Sequence, residues 1–236
     1  MQTQRSPVGI DAEGKIATRV WDLPTRLFHW ALAAAVLGSF VTAKVGGNAM
    51  QWHQWTGYLV FTLLAFRLLW GLAGGRWSRF TSFLRGPMAV LRYVQGAYGP
   101  QDRFDVGHSP LGALSVLAML GLLAVQVATG LVADDEIATM GPLSKFVDSA
   151  TALSATSWHK GLGEDGLVAL IVLHIGAIVY YRVRWQANLV RAMVTGDKPL
   201  ADDTPPSRDD AVTRSAAAAL LVACAGLVAF LVSLGG

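Results

Sequence analysis

The stretch SWHKGLGEDGLVALIVLHIGAIVYYR, residues 157–182, carries one histidine at its start, His159, and another, His174, deep in its apolar run. If the stretch is one helix, the 15 positions between them set the two imidazoles about 22 Å apart and rotate them by only about 60°. A single membrane-crossing helix would then offer a side chain of the same chemistry at each of two levels.

The chain of 236 residues is 53% hydrophobic and only 15% charged, with a mean hydropathy of +0.43. That is too apolar for an ordinary water-soluble domain of this length, so an all-α membrane bundle is expected. The first 20 residues are polar and mixed, with Asp11, Glu13 and Lys15, so no cleaved leader is expected and the first span serves as its own anchor. The single cysteine, Cys224, allows neither an internal disulfide nor a C-x-x-C-H heme attachment. The sequence pI of about 9.2 does not point to nucleic acid, because the basic residues are scattered between apolar runs.

Five segments are long enough to cross a bilayer: about 27–43, 55–75, 110–133, 165–181 and 215–234. Asp22, Leu23 and Pro24 read as a helix start. Lysine and arginine favour the cytoplasmic side. They cluster in the N-terminal arm (Arg5, Lys15, Arg19, Arg26), after span two (Arg76, Arg79, Arg85, Arg92, Arg103) and after span four (Arg182, Arg184, Arg191, Lys198, Arg208, Arg214). The other side has Lys44, Lys145 and Lys160 with the acidic run Asp134, Asp135 and Glu136. A cytoplasmic N-terminus and a periplasmic C-terminus follow, in a bacterial inner membrane.

Residues 141–156 read either as a short helix on the outer surface or as a simple loop. Residues 199–213, rich in proline and aspartate, read as a flexible cytoplasmic linker. The expected organisation is a four-helix core over 1–198, that linker, and a detachable fifth helix over 214–236.

The five histidines, His29, His53, His108, His159 and His174, sort by depth. His29 and His174 fall in the inner half, and His53 and His159 at the outer surface. Pairing His29 with His53 would join opposite faces, and His159 cannot reach His174 along its own helix. Histidines within a bundle are costly, and facing helices build cofactor sites there. Two imidazoles across a porphyrin give a six-coordinate iron with no open position, suited to electron transfer. Two-histidine sites without carboxylate or thiolate partners are poor zinc sites. His108, beside Gly107, Ser109 and Pro110, is expected at a helix start or the surface.

Arg67 lies 14 positions after His53, on nearly the same face and about 21 Å deeper. A buried guanidinium needs an anion, and a heme propionate supplies one; snorkelling toward the inner surface is the alternative. Gly38, Gly57, Gly121, Gly130, Gly163 and Gly166 would let a flat ring or a neighbouring helix approach. The tryptophans at the span ends form an interfacial belt.

Several motifs resemble one family. They are Val20-Trp21-Asp22-Leu23-Pro24-Thr25-Arg26-Leu27-Phe28-His29-Trp30, Trp52-His53-Gln54-Trp55-Thr56-Gly57-Tyr58, Ser157-Trp158-His159-Lys160, Leu173-His174 and Asn188-Leu189-Val190-Arg191-Ala192-Met193. Together they resemble the bacterial cytochrome b561 and nickel-iron hydrogenase b-type cytochrome group over about residues 20–198. The resemblance implies a four-helix di-heme core, with His29 and His174 on the inner heme b and His53 and His159 on the outer one. It also implies electron exchange with a membrane quinone. The fifth span departs from the smallest members of the group.

Three classes of function compete. The first is an electron-transfer subunit between an outer redox partner and quinone: the anchor of a hydrogenase or other dehydrogenase, the partner of a c-type cytochrome, or a superoxide-to-quinone oxidoreductase. The second is a transporter or proton channel with a histidine relay, against which nothing titratable stands between Asp165 and His174. The third is a structural membrane anchor, in which Arg67 and four depth-matched histidines would have no use.

Overall fold

The computed structural model describes residues 15–99, 102, 104, 106–200 and 204–235. Arg5, Asp11, Glu13 and Arg103, and residues 201–203 of the expected linker, lie outside the described residues. In chain order the elements are β1 (Ile16–Arg19), α1 (Leu23–Val45), α2 (Ala49–Ala73), α3 (Phe80–Phe83), α4 (Pro87–Val94), α5 (Pro110–Val132), α6 (Ser149–Lys160), α7 (Leu162–Arg184), α8 (Leu189–Thr195), β2 (Asp197–Leu200) and α9 (Ala211–Ser233). Five helical stretches are long and apolar enough to cross a membrane: α1, α2, α5, the α6–α7 pair and α9. The protein is an all-α membrane helix bundle, with one short β-ribbon at one end.

Local chemistry sets where the helices begin. Asp22 accepts from Thr25 N at 2.8 Å, with Pro24 in the first turn of α1. Ser109 accepts from Gly112 N at 3.2 Å, with Pro110 opening α5. Asp148 and Asp210 cap α6 and α9 in the same way, through Thr151 N and Thr213 N. Each cap satisfies a backbone N–H that has no partner inside its own helix.

The central helix is α2, which packs against α1, α5 and α9. Its Val60, Leu63, Leu64, Phe66 and Trp70 meet Phe28 and Ala35 of α1, Leu120 and Leu123 of α5, and Ala217 and Cys224 of α9 in one core cluster. By contrast α7 leaves Val172, Leu173 and Val183 more than 60% exposed. Such apolar outward faces suit hydrocarbon as the surrounding solvent.

One departure from the sequence reading bears on the site. The fourth span is not one helix, because it breaks at Gly161 (φ −111°, ψ −108°), so His159 belongs to α6 and His174 to α7. Residues 141–156 hold a 3-10 turn and the first part of α6, which runs on to Lys160.

The expected loose linker is also corrected. Ser207 N donates to Arg19 O at 2.7 Å and Ser207 Oγ to Val20 O at 2.8 Å, while Trp77 Nε1 donates to Pro205 O at 2.9 Å. Asp209 receives Arg19 and Arg214. Backbone carbonyls and arginines within reach tie down a stretch whose composition alone suggested mobility.

In the N-terminal arm β1 pairs antiparallel with β2, Ile16 opposite Leu200 and Arg19 opposite Asp197. Gly196 turns the chain from α8 into β2 at φ +91°, where a Cβ would lie 2.6 Å from Trp21 O. Its own carbonyl accepts from Val20 N and Trp21 N. Below this ribbon end sits a second small core of Val20, Trp21, Val106, Ala192 and Leu200.

Candidate functional site

The histidines meet in two pairs. At the ribbon end, His29 of α1 faces His174 of α7 with ring centroids 6.4 Å apart. At the opposite, loop end, His53 of α2 faces His159 of α6 at 5.9 Å. An imidazole nitrogen sits about 2.0 Å from a metal it ligates, so two trans imidazoles on one ion have centroids roughly 6 Å apart. Both pairs match that spacing. The helices themselves explain the gap, because α1 packs on α2 and α7 on α5 and α6, while α1 and α7 make no extensive contact.

At the loop end the outer edges of both rings are fixed. His53 Nδ1 lies 3.0 Å from Ser39 O, and His159 Nδ1 lies 2.9 Å from Gln126 O. A carbonyl oxygen only accepts, so Nδ1 carries the proton in each ring and the Nε2 lone pair is left for a ligand bond. Gln126 reinforces this by donating from Nε2 to His159 O at 3.1 Å. Thr56 Oγ1 accepts from Ser39 Oγ at 2.8 Å, holding the His53 turn against α1. A cavity of about 600 Å³ contains the two rings, with Val36, Phe40, Val127 and Gly130 on its walls and Lys44, Asp135 and Glu164 also lining it. Gly57, one turn beyond His53, lines it as well, and a Cβ there would meet nothing within 4 Å. Lys44 of α1 and Glu164 of α7 are paired at 2.5 Å.

At the ribbon end two buried polar atoms are left unmet. His29 Nδ1 and Arg67 Nη1 are buried without a hydrogen-bond partner among the described residues. Arg67 is 3% exposed, with its guanidinium carbon 4.8 Å from the centre of the Phe80 ring. It is therefore not snorkelling to the surface.

His108 is not at the surface either. Its ring packs against Trp21 at 4.8 Å and Phe83 at 4.6 Å. Burial, followed by the charge of Arg67, pushes its pKa down to about 3, so it stands as a neutral imidazole at ordinary pH.

These features test whether the residues fit a heme. Among the described residues no three His, Cys, Asp or Glu side chains converge as a metal site. Each histidine pair offers two imidazoles, at a spacing and, at the loop end, in a tautomer that would suit a heme iron held between them. Sequence reasoning missed Gln126 and Asp22. Gln126 had a signal, being a lone amide in the apolar span of α5. Asp22 was read as a cap, yet besides Thr25 N it also takes hydrogen bonds from Trp70 Nε1, Gly75 N and Ser78 Oγ.

Fold and site together define a multi-pass membrane protein with facing histidine pairs at two levels of its bundle. The sequence profile of the family described as "Prokaryotic cytochrome b561" matches residues 20–196, and the chain belongs to that family: it is a membrane b-type cytochrome of electron transfer. Among its relatives, a "Probable Ni/Fe-hydrogenase B-type cytochrome subunit" of Cupriavidus necator is 24% identical, covering 82% of this chain and 93% of the relative. A protein of the same description from Bradyrhizobium diazoefficiens is 20% identical, covering 82% and 91%. No solved structure matches at a significant level.

Proposed function

We propose that the protein carries two hemes b, one between His29 and His174 and one between His53 and His159, and passes electrons between a partner on the loop side and quinone in the membrane. The observation that carries this reading is the pair of ring separations, 6.4 and 5.9 Å, at two levels of one bundle. Bound between two imidazoles, heme supplies a one-electron couple at an iron with no open coordination position.

The chain's own residues do the rest. Ser39 O and Gln126 O orient the loop-end imidazoles. Arg67 offers its unpaired Nη1 to a propionate at the ribbon end. Val36, Phe40 and Val127 give the loop-end site apolar walls, beside the charged Lys44, Asp135 and Glu164. The redox core falls within 1–198, and 214–236 adds a packed helix reached through 199–213.

The ribbon end carries Arg19, Arg26, Arg76, Arg79, Arg85, Arg92, Arg182, Arg184, Arg191, Lys198, Arg208 and Arg214, which supports a cytoplasmic ribbon and a periplasmic loop end in a bacterial inner membrane. The descriptions of the relatives support a hydrogenase as the partner; another dehydrogenase or a c-type cytochrome would use the same two sites. A histidine relay is less well supported, because each loop-end Nδ1 is committed to a backbone carbonyl and the rings of a pair share no hydrogen bond among the described residues.

The test is a reduced-minus-oxidised spectrum of the detergent-purified protein with a pyridine hemochrome assay. Sharp b-type bands at about two hemes per chain are expected. A colourless preparation, or a single heme lost only when both pairs are mutated, overturns the reading.

A further inference from the structure

Among the described residues, buried polar side-chain atoms without a hydrogen-bond partner occur at Arg26, His29, Arg67, His108 and Gln126. Three of these residues act on one another electrostatically, since His108 feels Arg67 first and then Lys198, His174 and His29. A run of packed aromatic rings leads from Arg67 to His108. Arg67 lies over Phe80 at 4.8 Å, Phe80 touches Phe83 at 5.8 Å, and Phe83 touches His108 at 4.6 Å.

A ring at position 108 is needed to fill the space between Trp21 and Phe83, and phenylalanine would fill it. Histidine instead buries a polar Nδ1 that nothing in the described chain satisfies, at a cost of about 1–3 kcal/mol. The same holds for Arg67 Nη1. One group that meets a guanidinium and an imidazole N–H together is an anionic oxygen pair, a carboxylate above all.

We propose that His108 and Arg67 jointly hold one propionate carboxylate of the heme at the His29–His174 site. This rests on the reading of that site given above and adds His108 to it as an anion-contacting residue, not an iron ligand. Arg67 supplies charge, and the uncharged His108 supplies direction without placing a second buried cation beside the first. The packing of Trp21 and Phe83 fixes the ring plane, so the propionate is met by a preset donor.

The test uses the purified holoprotein and two variants. His108→Phe keeps the ring and removes the nitrogens, while His108→Gln restores an N–H donor. Heme content is read by pyridine hemochrome, and the two midpoint potentials by redox titration, with His174→Ala identifying which belongs to the ribbon end.

His108→Phe is expected to keep two hemes and to lower the ribbon-end heme's reduction equilibrium about tenfold, 59 mV for one electron, because a less compensated propionate favours the oxidised iron. The loop-end heme is expected not to move, and His108→Gln to recover most of the shift. Reconstituting apoprotein with heme whose propionates are methyl esters is expected to erase the difference between wild type and His108→Phe.

Unchanged potentials in His108→Phe, a His108→Gln variant as impaired as His108→Phe, or a difference that survives esterification would each overturn the proposal while leaving the histidine ligation standing. A wild-type protein with no heme at His29–His174 would sink the ligation itself.

Discussion

Gly130 sits where a single methyl group decides the geometry of the loop-end site. A Cβ there would lie 3.0 Å from His159 Cε1 and 3.3 Å from its Nδ1, while the same ring is held 2.9 Å from Gln126 O. The imidazole has to give a few tenths of an ångström against a hydrogen bond that sets its tautomer. Gly130→Ala is therefore expected to lower heme occupancy at His53–His159 and leave His29–His174 filled, which the hemochrome assay reads as fewer than two hemes per chain. His174→Ala should do the converse, removing the ribbon-end heme and sparing the other; equal loss of both in a still-folded protein would count against two separate pairs. The partnering of these histidines was legible in the sequence because depth along a span is simple arithmetic in rise per residue. The carbonyls of Ser39 and Gln126 were not, because a backbone acceptor has no signature in the residue type that carries it. His108 does stand at the start of α5, but its burial was hidden for a related reason, since it comes from Trp21 and Phe83, which lie far from it in sequence.

Helix starts were the most readable elements, since Asp22 with Pro24 and Ser109 with Pro110 state their role locally. The break at Gly161 was not readable, because a glycine within an apolar run serves equally as a kink, a packing contact or nothing. The two histidines of the fourth span consequently sit on separate helices, α6 and α7, and the rotation expected for one continuous helix does not describe them. The ribbon escaped notice because β1 and β2 are four residues each and lie 178 positions apart, from Arg19 to Asp197. What fastens the start of α1 to the end of α2 is Asp22, fully buried, with Thr25 N and Trp70 Nε1 on Oδ1 at 2.8 and 3.3 Å and Ser78 Oγ and Gly75 N on Oδ2 at 2.9 and 3.1 Å. Asp22→Ala removes a helix cap and strands buried donors, a loss of about 3 kcal/mol. A lower thermal midpoint in detergent, measured on the holoprotein, is the expected outcome. A midpoint equal to wild type would mean that water replaces the carboxylate at no loss.

Across the whole molecule, the alternation of basic and acidic loops was visible from the start, whereas the way the ribbon end binds the last helix to the first was hidden in long-range ion pairs. Asp209 is the joint. Its side chain is 5% exposed and receives Arg19 from the ribbon and Arg214 from the first turn of α9, so one carboxylate links the N-terminal arm to the fifth helix. Burial alone would raise its pKa, but the hydrogen bonds from Arg214, the Leu23 backbone and Arg19 outweigh it and leave the pKa below the usual aspartate value. A carboxyl whose folded pKa is depressed contributes stability that is complete above its unfolded pKa, about 3.9, and lost as pH falls through the folded value. Asp209→Asn should therefore cost about 2 kcal/mol at pH 7, and the gap between wild type and variant should close as the pH drops below the ordinary aspartate range. Cys224, the only cysteine and 3% exposed against α2, reports on where that energy acts. With both proteins at pH 7, a membrane-permeant maleimide should label Cys224 faster in Asp209→Asn if the joint holds α9 in place. Equal labelling rates would show that Ala217, Cys224 and Val228 dock the fifth helix without help from the ribbon end.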